Sequence, residues 1–185
     1  MILLRHGQSE FNVVYSVTRQ DPGIRDPRLT EEGRRQTAET ARALAGNGIR
    51  RILASPYTRA LETAAIVAEI LDVRIAVDPV VGERAAFACD VGTPASHLAQ
   101  RWPDIPLGHL DEEWWPALEE NETRLLQRCI RFRARMLADA DRQDLLVVTH
   151  WGFIRGLTGR QVKNATWLRY DPAATPVPAA TAPTG

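Results

Sequence analysis

Residues 1–7 read Met1-Ile2-Leu3-Leu4-Arg5-His6-Gly7, and residues 144–150 read Asp144-Leu145-Leu146-Val147-Val148-Thr149-His150. Each holds a short apolar run, too brief for a helix and without alternation, which is the pattern of a strand buried on both faces of a parallel sheet. Each run delivers a histidine at its C-terminal end. In open α/β sheets ligands bind along that edge, so His6 and His150, more than 140 positions apart, are expected at one site.

Working outward, Thr30 is placed to cap a helix whose first turn holds Glu31 and Glu32. Its apolar residues Ala38, Ala41 and Leu44 follow at helical spacing, and Gly46 and Gly48 end it. Residues 51–54 read as a second strand, Ser55-Pro56 as a turn, and 57–71 as a helix turning Leu61, Ala64, Ile66, Val67 and Ile70 to a core. Residues 73–77 are a third strand. Residues 79–116, broken by Pro79, Pro94, Pro103, Pro106 and Pro116 and by three glycines, read as an inserted cap or loop region with one short helix at 95–101. Residues 122–138 form an amphipathic helix with Leu125, Leu126, Cys129, Ile130, Met136 and Leu137 on its apolar face. Residues 167–170 suit an edge strand, and beyond Asp171 only Pro, Ala, Thr, Val and Gly occur, so residues 171–185 are expected to be a disordered tail. Strands alternating with helices give an α/β protein with a mostly parallel sheet, in one domain over residues 1–170.

The 185 residues are 44% hydrophobic and 25% charged with a formal net charge of +0. That composition excludes a disordered chain and offers nothing to a nucleic acid. Lys163 is the single lysine, so anion binding would rest on planar arginine forks that suit phosphate or carboxylate. Cys89 and Cys129 are too few for a disulfide framework. No basic leader with a long apolar stretch and no run of about 18 apolar residues occurs, so a soluble cytoplasmic protein is expected, with no membrane partner.

A metal site needs three or four convergent ligands. His97 and His109 lie in the irregular region without matching spacing, so zinc is the minor reading and no metal is expected. Cys129 and Arg135 have the spacing of cysteine-dependent phosphatases. The residues between them lack glycine and lie inside a helix, where that chemistry needs a loop cradling phosphate with backbone amides.

Leu4-Arg5-His6-Gly7-Gln8-Ser9-Glu10-Phe11-Asn12 resembles the signature of the histidine phosphatase superfamily, the phosphoglycerate-mutase-like proteins. Four further segments resemble that family's in the same order: residues 29–33, Leu-Thr-Glu-Glu-Gly; residues 55–63, Ser-Pro-Tyr-Thr-Arg-Ala-Leu-Glu-Thr; Gly82-Glu83-Arg84; and residues 148–152, Val-Thr-His-Trp-Gly. Gln8 stands where many members have glutamate and Trp151 where many have glycine. The resemblance implies a three-layer α/β/α sandwich and a metal-independent enzyme with no cofactor. It makes His6 the nucleophile that becomes a phosphohistidine, and Gly7 the space for the incoming phosphate. Arg5, Arg59, Asn12 and His150 become the phosphate-binding set, with His150 also catalytic.

Glu83 matches the general acid, later base, with Glu62, Glu112 and Glu113 as substitutes. The implied activity is hydrolysis of a phosphomonoester, either a small phosphorylated molecule or a phosphoprotein. A phosphomutase and a catalytically weak phosphate-binding module are the alternatives. The segment from Glu83 to Trp115 is the expected source of substrate choice. The sequence carries no statement of oligomeric state.

Overall fold

A computed structural model describes residues 1–117, 119–174 and 177. The apolar runs become β1 (Ile2–Arg5) and β4 (Leu145–Thr149), with β2 (Arg51–Ala54), β3 (Arg74–Val77) and β5 (Trp167–Arg169) completing a sheet of order β3-β2-β4-β1-β5. All pairings are parallel except β5 on β1, the expected edge strand. Every residue of the central β4 is buried, the condition under which a strand needs no polar alternation.

Side chains alternate across a strand, and here the alternation sorts them into two cores. Ile2, Leu4, Ile52, Leu146 and Val148 point into one apolar cluster, while Met1, Leu3, Leu145 and Val147 point into the other. The first is covered by α2 (Glu31–Leu44) and α3 (Thr58–Leu71), the second by α5 (Glu122–Ala138) and α6 (Trp151–Thr158). The protein is a three-layer α/β/α sandwich. A Cβ at Gly156 of α6 would meet Leu125 at 2.9 Å and the Cys129 sulfur at 3.2 Å, so the glycine sets how closely α5 and α6 approach.

Thr30 caps α2 as expected, its hydroxyl accepting from the Gly33 amide at 3.0 Å. Several apolar residues differ from the expected faces. Ile130 and Leu137 are 55% and 41% exposed, and Phe132, not counted on that face, is buried. The buried residues of α5 are Leu125, Leu126, Arg128, Cys129, Phe132 and Met136, and at about 100° per residue Ile130 and Leu137 stand about 120–140° round from Leu125. Ile70 is exposed for the same reason, lying about 180° from Leu61, and Ala38 and Ile66 are only half-buried.

Two helices escape the periodicity reading: α6, and α1 (Glu10–Thr18), whose one buried residue is Phe11. Residues 79–116 carry single 3-10 turns at Pro79–Val81 and Ala88–Asp90 and the short α4 (Ala95–Arg101). Leu98, Ile105, Leu107 and Trp114 of that segment join the first core. The expected tail over 171–185 falls largely outside the described residues. Of those described, Pro172 is buried and Val177 packs against the second core. No helix among the described residues is long and apolar enough to cross a membrane.

Candidate active site

The register of β1 on β4 pairs Arg5 with Thr149, so the residues that follow fall side by side. The His6 amide donates to Thr149 O at 3.0 Å, and the two imidazole centroids are 5.1 Å apart. His6 is buried, and its Nδ1 lies 2.7 Å from Gly7 O. A carbonyl only accepts, so Nδ1 carries the proton and Nε2 keeps its lone pair. Burial, then the positive charges of Arg59 and Arg5, hold His6 well below the usual imidazole value, and the ring stays neutral.

His150 is the N-cap residue of α6, with Nε2 2.8 Å from Ser55 Oγ. Its Nδ1 is buried without a partner. Burial, then Arg59 and His6, lower its pKa well below the usual range too. Arg5 donates from Nη1 to Val162 O at 2.9 Å, while its Nε is a buried donor without a partner. Arg59, carried on the first turn of α3, is buried. It donates to Cys89 O at 2.8 Å and to Asp90 Oδ1 at 3.0 Å, and its guanidinium lies 4.6 Å from the Tyr57 ring centroid.

Glu83 follows the first 3-10 turn. Its Oε1 accepts from the amides of Arg84 and Gly152, each at 2.8 Å. A Cβ at Gly152 would run into that carboxylate, so this glycine of α6 admits the contact. Burial, then the negative charge of Asp90, raise the Glu83 pKa and favour its neutral form.

Asn12 is the third residue of a capping box at the start of α1: its Oδ1 accepts from the Ser9 amide at 3.1 Å and from Asn164 Nδ2 at 2.9 Å. Its own NH2 is left to donate. Gly7 also meets a packing constraint. A Cβ there would strike Gly33 O and come within 2.6 Å of Thr37 Oγ1, so the glycine admits the close approach of the chain to α2.

Arg5, His6, Asn12, Arg59 and Glu83 line one cleft of about 1070 Å³. His150 is not in that lining and joins the group through the His6 ring. The substitutes for Glu83 lie elsewhere. Buried Glu62 accepts from the Leu29 amide and pairs with Arg34 and Arg101, Glu112 is bound to Ser96, and Glu113 is exposed. His97 is exposed and His109 bonds to Val77 O. Cys129 sits in α5 and Arg135 pairs with Asp78, away from any loop that could cradle phosphate.

Sequence reading missed the residues that hold the others in place: Ser55 on His150, Asp90 on Arg59, Thr63 on the Gly7 amide at 3.1 Å, and Asn164 on Asn12. Ser55 and Asp90 stand in segments whose pattern is visible. Asn164 has no signal, because its place depends on the return of β5 to β1.

The sequence model of the histidine phosphatase superfamily (branch 1) matches residues 1–175. Over 152 residues the chain is 33% identical to a bifunctional protein of Mycobacterium tuberculosis. That match takes in 81% of this chain and 40% of that protein, so the chain spans about two fifths of its length. Over 89 residues it is 39% identical to the 2,3-bisphosphoglycerate-dependent phosphoglycerate mutase of a Methylobacterium species, 45% of this chain and 41% of the mutase. The mycobacterial glucosyl-3-phosphoglycerate phosphatase in complex with VO3 superposes with a TM-score of 0.62 at 24% identity, over 90% of this chain and 88% of that one. The ecdysone phosphate phosphatase of Bombix mori superposes at 0.68 with 15% identity, over 100% and 95%. At these identities the structural likeness is one of fold.

Proposed function

The chain belongs to branch 1 of the histidine phosphatase superfamily, and on that premise we propose that it hydrolyses a phosphomonoester through a phosphohistidine on His6. The observation that carries the proposal is the His6 tautomer. Its Nδ1 proton is committed to Gly7 O, which leaves a neutral Nε2 nucleophile beside the guanidinium groups of Arg5 and Arg59.

The Nε2 lone pair attacks phosphorus as the ester P–O bond breaks. The departing alkoxide takes the proton of the Glu83 carboxyl. Water then attacks the phosphohistidine, giving its proton to the Glu83 carboxylate as the P–N bond breaks and orthophosphate leaves. Arg5 and Arg59 hold the non-bridging oxygens, and Asn12 adds its NH2. Arg5 Nε is a buried donor without a partner and His150 Nδ1 a buried ring nitrogen without one; with the Ser55 hydroxyl donating to His150 Nε2, both gain an acceptor when a phosphoryl oxygen arrives, which removes a penalty of about 1–3 kcal/mol each. Every group in the scheme is a side chain of this protein, so the reaction needs no metal or cofactor. Residues 1–170 act as one catalytic unit with residues 79–116 as its cap.

The test is phosphate release from a simple aryl phosphate, with and without chelator, together with trapping of an acid-labile phosphoenzyme. His6→Ala is expected to lower turnover by at least about 10³-fold and abolish the trapped species. Full hydrolysis by His6→Ala would overturn the proposal. The partial identity to phosphoglycerate mutases favours one second reading, in which the same phosphohistidine returns its phosphoryl group to bound product. Isomerised 3-phosphoglycerate without free phosphate would establish that reading instead.

A further inference from the structure

Four aromatic side chains, Phe11, Tyr15, Phe87 and Trp151, line the cleft together with His6, the mechanism uses none of them, and the first three pack on one another. Phe11 and Tyr15 are one helical turn apart on α1 and stack at 5.1 Å with an interplanar angle of 16°. Phe87, four residues beyond Glu83, meets both, at 5.6 Å from Phe11 and 5.2 Å from Tyr15. The patch shares α1 with Asn12: at 1.5 Å per residue Tyr15 stands about 4.5 Å further along the helix axis than Asn12, and Phe11, Tyr15 and Phe87 line the cleft that holds His6.

It is also held from both sides. The Ala88 amide, next to Phe87, donates to Asp21 Oδ2 at 2.8 Å, tying the Phe87 segment to the chain that follows α1. Arg19 lies 5.9 Å from the Tyr15 ring centroid. Yet Phe87 remains 40% exposed at the cleft, where an aromatic face left in water gains about 0.5–1.5 kcal/mol from a ring stacked on it, beyond the area buried.

We infer that this patch is the leaving-group subsite and that the substrate is the phosphate ester of a flat, apolar alcohol of one or two rings, which stacks on Phe87 and Tyr15 while its phosphate lies at His6. The inference rests on the phosphatase reading and adds to it the class of substrate. A sugar phosphate would place hydroxyl groups against these rings and forfeit their hydrogen bonds to water.

The experiment uses two kinds of probe. Turnover is compared for 2-naphthylmethyl phosphate, benzyl phosphate and glucose 6-phosphate, all esters of primary alcohols, so that leaving-group basicity does not set the order. Binding is measured by calorimetry with phosphonates that cannot be hydrolysed, naphthylmethylphosphonate and methylphosphonate. The expected order of kcat/KM is naphthylmethyl, benzyl, glucose. In Phe87→Ala and in Tyr15→Ala the ratio of naphthylmethyl phosphate to glucose 6-phosphate is expected to fall about 3- to 10-fold, and the phosphonate affinity ratio to fall with it. Preference for the sugar phosphate, or ratios unchanged in both variants, would overturn the subsite. Absence of turnover and of phosphoenzyme on every ester would overturn the phosphatase reading alone, since the phosphonate affinities still decide the subsite.

Discussion

His6 and His150 leave the ends of two hydrogen-bonded parallel strands, whereas Glu83, Phe87 and Asp90 come from a segment whose only regular structure before α4 is two 3-10 turns. The two regions reach the same cleft by different physics. The histidines are fixed by strand register and by apolar cores on both faces of the sheet. The segment around Glu83 is fixed largely by charge. Arg128 of α5 donates through Nε to Glu120 at 3.0 Å, through Nη1 to Val80 O and Gly82 O at 2.9 and 2.7 Å, and through Nη2 to Glu83 O at 3.2 Å. At the other end Asp90 accepts from the amides of Ala86 and Phe87 and pairs with Arg59. A sheet edge can thus fix two imidazoles while buried ion pairs hold the Glu83 carboxyl near them.

The largest expected effect breaks this comparison at Arg128. In Arg128→Met the Glu120 carboxylate, 8% exposed, stays buried without its cation, at a cost of about 3–5 kcal/mol. For a chain of this length that is a fall in Tm of roughly 10 °C, with kcat lowered because Glu83 loses its backbone anchor. Glu120→Gln keeps one of the two side-chain hydrogen bonds and leaves Arg128 its backbone carbonyl acceptors, so it is expected to lose less. If Arg128→Met melts with the wild type, the segment is held by its apolar residues Leu98, Ile105 and Trp114, and the contrast drawn above fails.

Asp90→Asn sharpens the comparison at the cleft. It leaves an acceptor for the two amides but takes the anion from buried Arg59, which costs stability of the same order as Arg128→Met, and it removes the negative charge that helps raise the Glu83 pKa. In the proposed mechanism Glu83 must be protonated to serve the leaving group. A lower pKa empties that form at lower pH, so the basic limb of kcat/KM is expected to move down, and each unit of movement lowers the rate about tenfold at any pH above the limb. In the proposed mechanism the acid limb belongs to His6, which must be neutral to attack. Burial, Arg59 and Arg5 depress its pKa, so activity is expected to persist as pH falls through the ordinary imidazole value of about 6.5, in wild type and variant alike. A basic limb that does not move would remove Glu83 from its role.

The same division decides what could be read in the sequence. Strand ends are local and periodic, so His6, His150 and the sheet they belong to were legible, and the resemblance added Arg5, Arg59, Asn12 and Glu83, all of which line one cleft except His150. Their partners were not. Asp90 meets Arg59 from 31 positions away and Ser55 meets His150 from 95, pairings set by tertiary packing with no period to reveal them. Helix α1 was missed for a related reason: with Phe11 its one buried residue, it has no apolar stripe, and its sequence signal is the capping box of Ser9 and Asn12.

The smallest effect tests the error made on α5. Ile130 stands two positions beyond Arg128 and two before Phe132, yet it touches neither system: Arg128 pins the Glu83 segment, Phe132 packs at 5.4 Å against Phe153 in the second core, and Ile130 faces water. Ile130→Gln removes little buried surface and replaces an exposed β-branched residue with a better helix former. Stability is expected to change by no more than about 0.5 kcal/mol, with Tm within about 2 °C of wild type and kcat/KM unaltered, measured beside Arg128→Met in the same buffer. A loss comparable to that of Arg128→Met would mean that a surface of this helix is covered in solution. The apolar face expected from sequence would then be one the protein uses.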